Sequence, residues 1–216
     1  MKELLCNITD QKTLLMAIRN LMMGGIVVLP TDTLYGLHAL AELPDKAAEL
    51  ARLKGYEDGD RGQILLAKDL SMVEAWADLD EPNRRIIEQH SPGAISYVLP
   101  ARPEAPEAWT TLTESGERRI AFRIPDSDFL RDLIDMLNSP LLSTSANLAG
   151  EPTLATAGEI VKLFADKIEL AVADPELEKR LAENGSVPST LVDLSCSPPR
   201  VIREGQVPFS QGASAG

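Results

Sequence analysis

The sequence predicts one α/β domain built on a mixed sheet flanked by helices. Three observations carry this. Short β-branched runs alternate with amphipathic helical periods along most of the chain. The 216 residues, 44% hydrophobic, suffice for one large core and are few for two. The strand–helix rhythm then breaks over 94–124, so antiparallel pairing must interrupt the parallel pattern.

Taken in order, Leu14, Leu15, Ile18, Leu21 and Met22 recur at helical spacing, with Asp10 as expected cap and Gly24-Gly25 as stop. The β-branched run Ile26-Val27-Val28-Leu29, closed by Pro30, predicts a buried strand. A helix is expected over 45–53, ending near Gly55, and a buried strand over 64–67. Helical patterns occupy 71–79 and 81–90. Strands are expected over 95–99 and 120–124, and an amphipathic helix over 128–137. A strand passes into a loop over 140–144, and helix returns over 157–164. Strand-like runs follow at 170–173, 190–194 and 200–203. The stretch 102–116, rich in Pro, Thr and Glu, reads as a long surface loop. No internal repeat occurs. The domain is expected to span 1–210, with 211–216 a small, polar, disordered tail.

Composition narrows the function classes. Lys and Arg number 21 against 33 Asp and Glu, a formal net charge of -12. Such a surface repels polyanions, so generic nucleic-acid binding is not expected. Cys6 and Cys196 lie near opposite ends of the sequence and imply no disulfide framework, which fits a reducing compartment. The start has no apolar signal core, and no run of about 18 apolar residues occurs. A cytoplasmic location without a membrane span is therefore expected. The histidines are His38 and His90, and no Cys/His cluster has zinc spacing, so no metal site is expected.

Two segments carry candidate chemistry. Pro30-Thr31-Asp32-Thr33-Leu34-Tyr35-Gly36-Leu37 follows a buried strand directly, where α/β proteins tend to present ligands. The same residues also suit a turn in which Thr and Asp bond their own backbone. Leu142-Ser143-Thr144-Ser145-Ala146-Asn147 gathers three hydroxyls and an amide, groups that can hold phosphate or ribose oxygens. An ordinary Ser/Asn loop would look alike. Lys54 ends a predicted helix, where a lone Lys usually complements the helix dipole. His90 suits the same role, and His38 lies close enough to the first segment to meet a ligand. Gly24-Gly25 precedes a strand rather than opening a helix, and no phosphate-loop motif occurs. Trp76 and Trp109 lack the interleaved basic residues of a nucleic-acid stacking platform.

Taken together, the segments resemble the YrdC-like family of threonylcarbamoyl-AMP synthases from about Thr13 to Val207. The marks, in order, are Gly25 through Leu37, Lys54, Pro92-Gly93, Arg123-Ile124-Pro125, Ser143-Thr144-Ser145-Ala146-Asn147, Pro188-Ser189-Thr190 and Arg203-Glu204-Gly205. The resemblance implies a twisted mixed sheet lining an open cavity. It implies that threonine's amine captures bicarbonate, and that the resulting carboxylate attacks the α-phosphate of ATP and expels pyrophosphate. Mg²⁺ would accompany the ATP. The product would pass to other proteins that modify tRNA adenosine 37. By the same resemblance Lys54, Ser145, Asn147 and Arg203 would hold ATP. Thr33, Arg123, Ser143 and Ser189 would surround threonine, with Lys54 and Arg123 the charges that act on the reacting groups.

One departure bears on activity. The family's K-x-R pair reads Lys54-Gly55-Tyr56 here, followed by the acidic stretch 57–62. The family's P-G-P-(L/V)-T strand likewise reads Pro92-Gly93-Ala94-Ile95-Ser96. The YciO-like branch also lacks the K-x-R pair, and its Asp-Leu-Ser is matched by Asp69-Leu70-Ser71. That branch offers the alternative expectation: a nucleotide- or RNA-related binding protein with little turnover. Arg61 is the candidate compensating cation.

Overall fold

The computed structural model describes residues 5–43, 45–56 and 63–210. Among them, eleven strands join in one sheet. In chain order these are β1 (Leu5–Asn7), β2 (Val27–Pro30), β3 (Tyr35–Leu40), β4 (Ile64–Leu66), β5 (Ile95–Pro100) and β6 (Thr110–Leu112). They continue with β7 (Arg118–Arg123), β8 (Leu141–Ser145), β9 (Leu170–Ala173), β10 (Thr190–Asp193) and β11 (Arg200–Arg203). The spatial order is β1-β9-β2-β3-β8-β4-β7-β5-β10-β11, with β6 also paired to β7. Pairs β1–β9, β9–β2, β4–β7 and β5–β10 are parallel; the others are antiparallel. The expected mixed sheet is thus present.

Helices cover the two faces unequally. The helices are α1 (Thr13–Met22), α2 (Lys46–Leu53), α3 (Leu70–Glu74), α4 (Glu81–His90), α5 (Asp128–Leu137), α6 (Ala157–Phe164) and α7 (Pro175–Asn184). On one face α2, α6 and α7 pack over Val28, Leu37, Leu65, Phe122 and Leu142. Burying each such side chain contributes about 1.5–3 kcal/mol. On the other face α1 and α5 seal Val27, Leu29, Leu66, Leu141, Leu170 and Val172. The same face continues to Ala121, Val98 and Leu191, which are only partly covered. This uneven cover leaves the strand ends and the β7–β5–β10 region open.

Several elements differ from expectation. Helix α1 starts at Thr13 after Lys12 without a side-chain cap. Asp10 contributes its backbone carbonyl to Thr13 N instead of its carboxylate (2.9 Å). The helix expected over 71–79 stops at Glu74, because the chain turns to bring Ala77 beside Ala101. The stretch 102–116 is not wholly loop: Glu107–Trp109 forms a 3-10 turn and β6 follows. Trp109 is buried there, edge-on to Trp76 at 5.1 Å, which removes it from any stacking surface. Strands β1 and β3 and helix α7 were not anticipated. Segment 211–216, acidic stretch 57–62 and Arg61 lie outside the described residues. No helix among the described residues is long and apolar enough to cross a membrane.

Candidate functional site

Strand periodicity sets the site's floor. Ser143 pairs with Ile64 and Arg123 with Leu66. Because Ile64 and Leu66 are two apart, Ser143, Ser145 and Arg123 share one face. Tyr97 pairs with Phe122, so its neighbour Ser96 also joins the Arg123 face. Leu191 opposite Ser96, and Arg203 opposite Leu191, extend that face to the sheet edge.

At the end of β8, Lys54 reaches in from the C-terminus of α2. Its Nζ donates to Ser145 O (2.9 Å), Ser145 Oγ (2.9 Å) and Asn147 Oδ1 (3.1 Å). Ser145 Oγ donates in turn to Asn147 Oδ1 at 2.6 Å. The Asn147 amide nitrogen is held by the carbonyls of Leu148 (2.9 Å) and Glu151 (2.6 Å), which fixes its orientation. Among the described residues the ammonium has three acceptors, all neutral, and no carboxylate partner. Burial lowers the Lys54 pKa from 10.5 to about 8. A cation buried without a counter-charge is costly, and an anionic ligand would relieve that cost. Lys54 therefore does more than complement a helix dipole.

Arg123, at the end of β7, organises the second group. Its Nη1 donates to Thr33 Oγ1 (2.9 Å), its Nε to Gly93 O (3.0 Å) and its Nη2 to Asp32 Oδ1. Thr33 is delivered by the turn after β2. There Thr31 Oγ1 accepts from the backbone N–H of Thr33 (3.0 Å) and Leu34 (3.1 Å). The capped-turn reading of that segment holds for Thr31, and the turn also aims Thr33 at Arg123.

The third group lies across Gly93 and Ala94. Ser189 Oγ meets Ser96 Oγ at 2.8 Å, and Arg203 Nη2 donates to Ser189 O at 2.9 Å. Burial, then the charge of Arg123, lowers the Arg203 pKa, so the two guanidiniums act on one another. A strap after Arg203 crosses this group. Gln206 N donates to Pro188 O (2.8 Å), and a Cβ on Gly205 would stand 2.3 Å from Thr190 N. Only glycine permits that approach without displacing the strap.

Lys54 with Ser145 and Asn147, Arg123 with Thr33, and Ser189 with Arg203 thus form three hydrogen-bonded groups at strand ends and on one face of the sheet, with Ser143 on that same face. An adjoining cavity of about 190 Å³ is lined by Ile64, Val98, Ala121, Leu191 and Arg203 among others. A second, of about 600 Å³, opens beside Asp32 and is lined also by Gly93, Ala94, Asp126 and Arg180. A further hollow, of about 940 Å³ around 195–202, is lined by none of the sequence-predicted site residues.

Asp32 carries no assigned role in the sequence, and His38, expected near enough to meet a ligand, is placed differently by the structure. Asp32 was legible only as a carboxylate in a turn. His38 is fully buried, and among the described residues its ring nitrogens make no well-formed hydrogen bond, the Leu29 carbonyl being the backbone acceptor that acts on the ring. Its ring lies on Gly36: a Cβ there would stand 2.5 Å from Nε2 and 3.3 Å from Ser143 Oγ. Burial lowers its pKa to about 4; the Leu29 carbonyl opposes this and the Arg123 charge adds to it. His38 is therefore neutral near pH 7 and is closed off from direct contact with a ligand. His90 Nδ1 meets Ile86 O at 2.8 Å in the last turn of α4, in keeping with a helix-end role.

The family model for Sua5, YciO and YrdC proteins, described as "Telomere recombination", matches residues 19–205. The chain belongs to this family. YciO of Escherichia coli K12, described as uncharacterized, is 28% identical over 197 residues, covering 91% of this chain and 90% of YciO. A threonylcarbamoyl-AMP synthase of Stenotrophomonas maltophilia is 36% identical over 143 residues, covering 65% of this chain and 74% of that protein. The crystal structure of E. coli YciO superposes with a TM-score of 0.79 at 27% identity, covering 94% and 93% of the two chains. Sua5 of P. abyssi complexed with L-threonine gives 0.80 at 26% identity, over 93% of this chain and 57% of Sua5. The expected family and α/β fold are those found.

Proposed function

We propose that this chain binds ATP and L-threonine and, with bicarbonate, forms threonylcarbamoyl-adenylate with release of pyrophosphate. The observation that carries this reading is the set of three cations, Lys54, Arg123 and Arg203, each hydrogen-bonded to hydroxyls or an amide at the strand ends and edge of one sheet, with Arg123 and Arg203 close enough for their charges to interact. Such a set suits a polyanion together with a small carboxylate, which are two of the three substrates. The threonine complex of Sua5 adds support from a relative.

The chemistry asks little of protein nucleophiles. Threonine's amine, once deprotonated, attacks the carbon of bicarbonate and water leaves, giving an N-carboxylate. A carboxylate oxygen then attacks the α-phosphorus, and the bond to pyrophosphate breaks. Lys54, Ser145 and Asn147 would hold the phosphates, with Arg203 toward the nucleotide. Thr33, Arg123, Ser143 and Ser189 would hold threonine. Catalysis is then positioning and charge stabilisation. Among the described residues no group of three or more His, Cys, Asp or Glu could hold a metal ion. Mg²⁺ would be carried in on the triphosphate, where phosphate oxygens and water supply most ligands. The adenylate would serve tRNA adenosine-37 modification, attached by partner proteins in the cytoplasm.

A specific observation favours a second reading. Tyr56 occupies the position of the pair's arginine, so a YciO-like protein that binds a nucleotide with little turnover remains the alternative. The test is pyrophosphate release from ATP with threonine and bicarbonate supplied together or singly. Release that needs both supports the synthase; ATP binding without threonine-dependent release supports the alternative.

A further inference from the structure

Lys54, Arg123 and Arg203 give the candidate site three cations, yet a free amino acid carries an ammonium as well as a carboxylate. Three positive side chains repel that ammonium. Among the described residues, Asp32 is the one carboxylate that bonds to any of the three cations. Its Oδ1 takes Arg123 Nη2, whereas its Oδ2 has no hydrogen-bond partner among the described residues and is not shut away from solvent. Asp32 and Arg123 are 13% and 6% exposed at their side chains, so both charges are largely removed from water where they meet. Their positions are fixed from behind. Arg180 Nη2 holds the Asp32 backbone carbonyl at 2.7 Å, and Gly93 O and Thr33 Oγ1 hold the guanidinium. Oδ2 has lone pairs to accept an N–H, and the cavity of about 600 Å³ opens beside Asp32.

We propose that Asp32 and Arg123 act together as a receptor for the two charges of an α-amino acid, Asp32 Oδ2 accepting from the ammonium while Arg123 takes the carboxylate. This rests on the synthase reading and assigns it the residue that selects an amino acid over a simple carboxylic acid. Two opposite charges borne on one carbon match two opposite charges held side by side. Arg123 and the other cations alone would favour any small anion.

The full chain and its Asp32→Asn variant are titrated calorimetrically with L-threonine, with the analogue bearing a hydroxyl in place of the ammonium, and with ATP. The expected result is a loss of threonine affinity of roughly 10- to 150-fold in Asp32→Asn, the range for a hydrogen bond to a charged group. Affinity for the hydroxy analogue and for ATP should stay within about threefold. If the variant weakens threonine and the hydroxy analogue equally, Asp32 only props Arg123 and the proposal is overturned. It is overturned also if neither changes, and both of these results leave the synthase reading intact. If the parent chain binds no α-amino acid at all, proposal and synthase reading fall together. Should Asp32→Asn not fold, the parent decides: a preference for threonine over the hydroxy analogue of at least tenfold supports the proposal, and equal binding overturns it.

Discussion

Lys54 illustrates how one side chain can carry both cost and function. Its ammonium is buried among neutral acceptors, with its pKa brought from 10.5 to about 8. Between pH 8 and 10.5 the unfolded chain binds more protons at this position than the folded one, so folding stability should rise with pH across that window. Anion binding has the opposite sign. As pH climbs through 8 the free site loses its charge, and ATP affinity should fall by up to about tenfold per pH unit. Lys54→Met should flatten that slope, as titrations between pH 7 and 9.5 can check. Two residues on, Tyr56 stands half-buried where the family's second cation is expected. Tyr56→Arg should raise pyrophosphate release by roughly 10- to 150-fold, the range for a charged hydrogen bond. The gain should vanish in Tyr56→Arg/Lys54→Ala, because both groups act on one phosphate chain. If Arg61 already fills the role, Tyr56→Arg should do little and Arg61→Ala should cost a similar factor.

The β2–β3–β8 ribbon supports the site from beneath. The imidazole of His38 occupies the space that a side chain on Gly36 would need. Gly36→Ala should therefore destabilise the fold by about 1–3 kcal/mol through overpacking. His38→Ala should recover part of that loss in the double variant, and denaturant unfolding of the four proteins measures the coupling. Additive losses would mean that the ring does not rest on Gly36. Sequence patterning missed β3 for a related reason: Gly36 and His38 interrupt the apolar alternation, so its polar turn and strand merge into one segment. Helix α7 escaped because Leu177 and Leu181 are its only buried residues, too narrow a stripe for periodicity to register. Its start was nevertheless legible, since Asp174 caps Glu176 N and Leu177 N and Pro175 follows directly. Helices α4, α5 and α6, each with a clear apolar face or cap, coincide with their expected bounds.

Across the whole molecule, the three groups around Lys54, Arg123 and Arg203 lie along one sheet only because it orders its strands β3-β8-β4-β7-β5-β10-β11. Spacing alone could nominate Lys54 or Arg123; it could not bring them together, since their proximity depends on non-local pairing. The resemblance supplied that grouping, and the strand register gives it a physical basis. Asp32 has no role legible in the sequence because its partner lies 91 residues away, and the expected ligand contact of His38 fails because the ring is fully buried. At the same scale, the formal charge of -12 opposes polyanion binding in general. Fluorescence anisotropy with random-sequence duplex RNA or DNA at about 150 mM salt should give weak or no binding; sub-micromolar affinity independent of sequence would contradict this.

The central claim is that one site joins threonine, bicarbonate and the adenylyl group of ATP. Its most direct measurement is mass spectrometry of the nucleotide product formed with ¹³C-bicarbonate. A threonylcarbamoyl-adenylate heavier by the single labelled carbon, absent when threonine is omitted and reduced in Lys54→Ala, is the expected result. ATP that binds but stays intact with all three substrates present, or an adenylate that lacks the label, would contradict it.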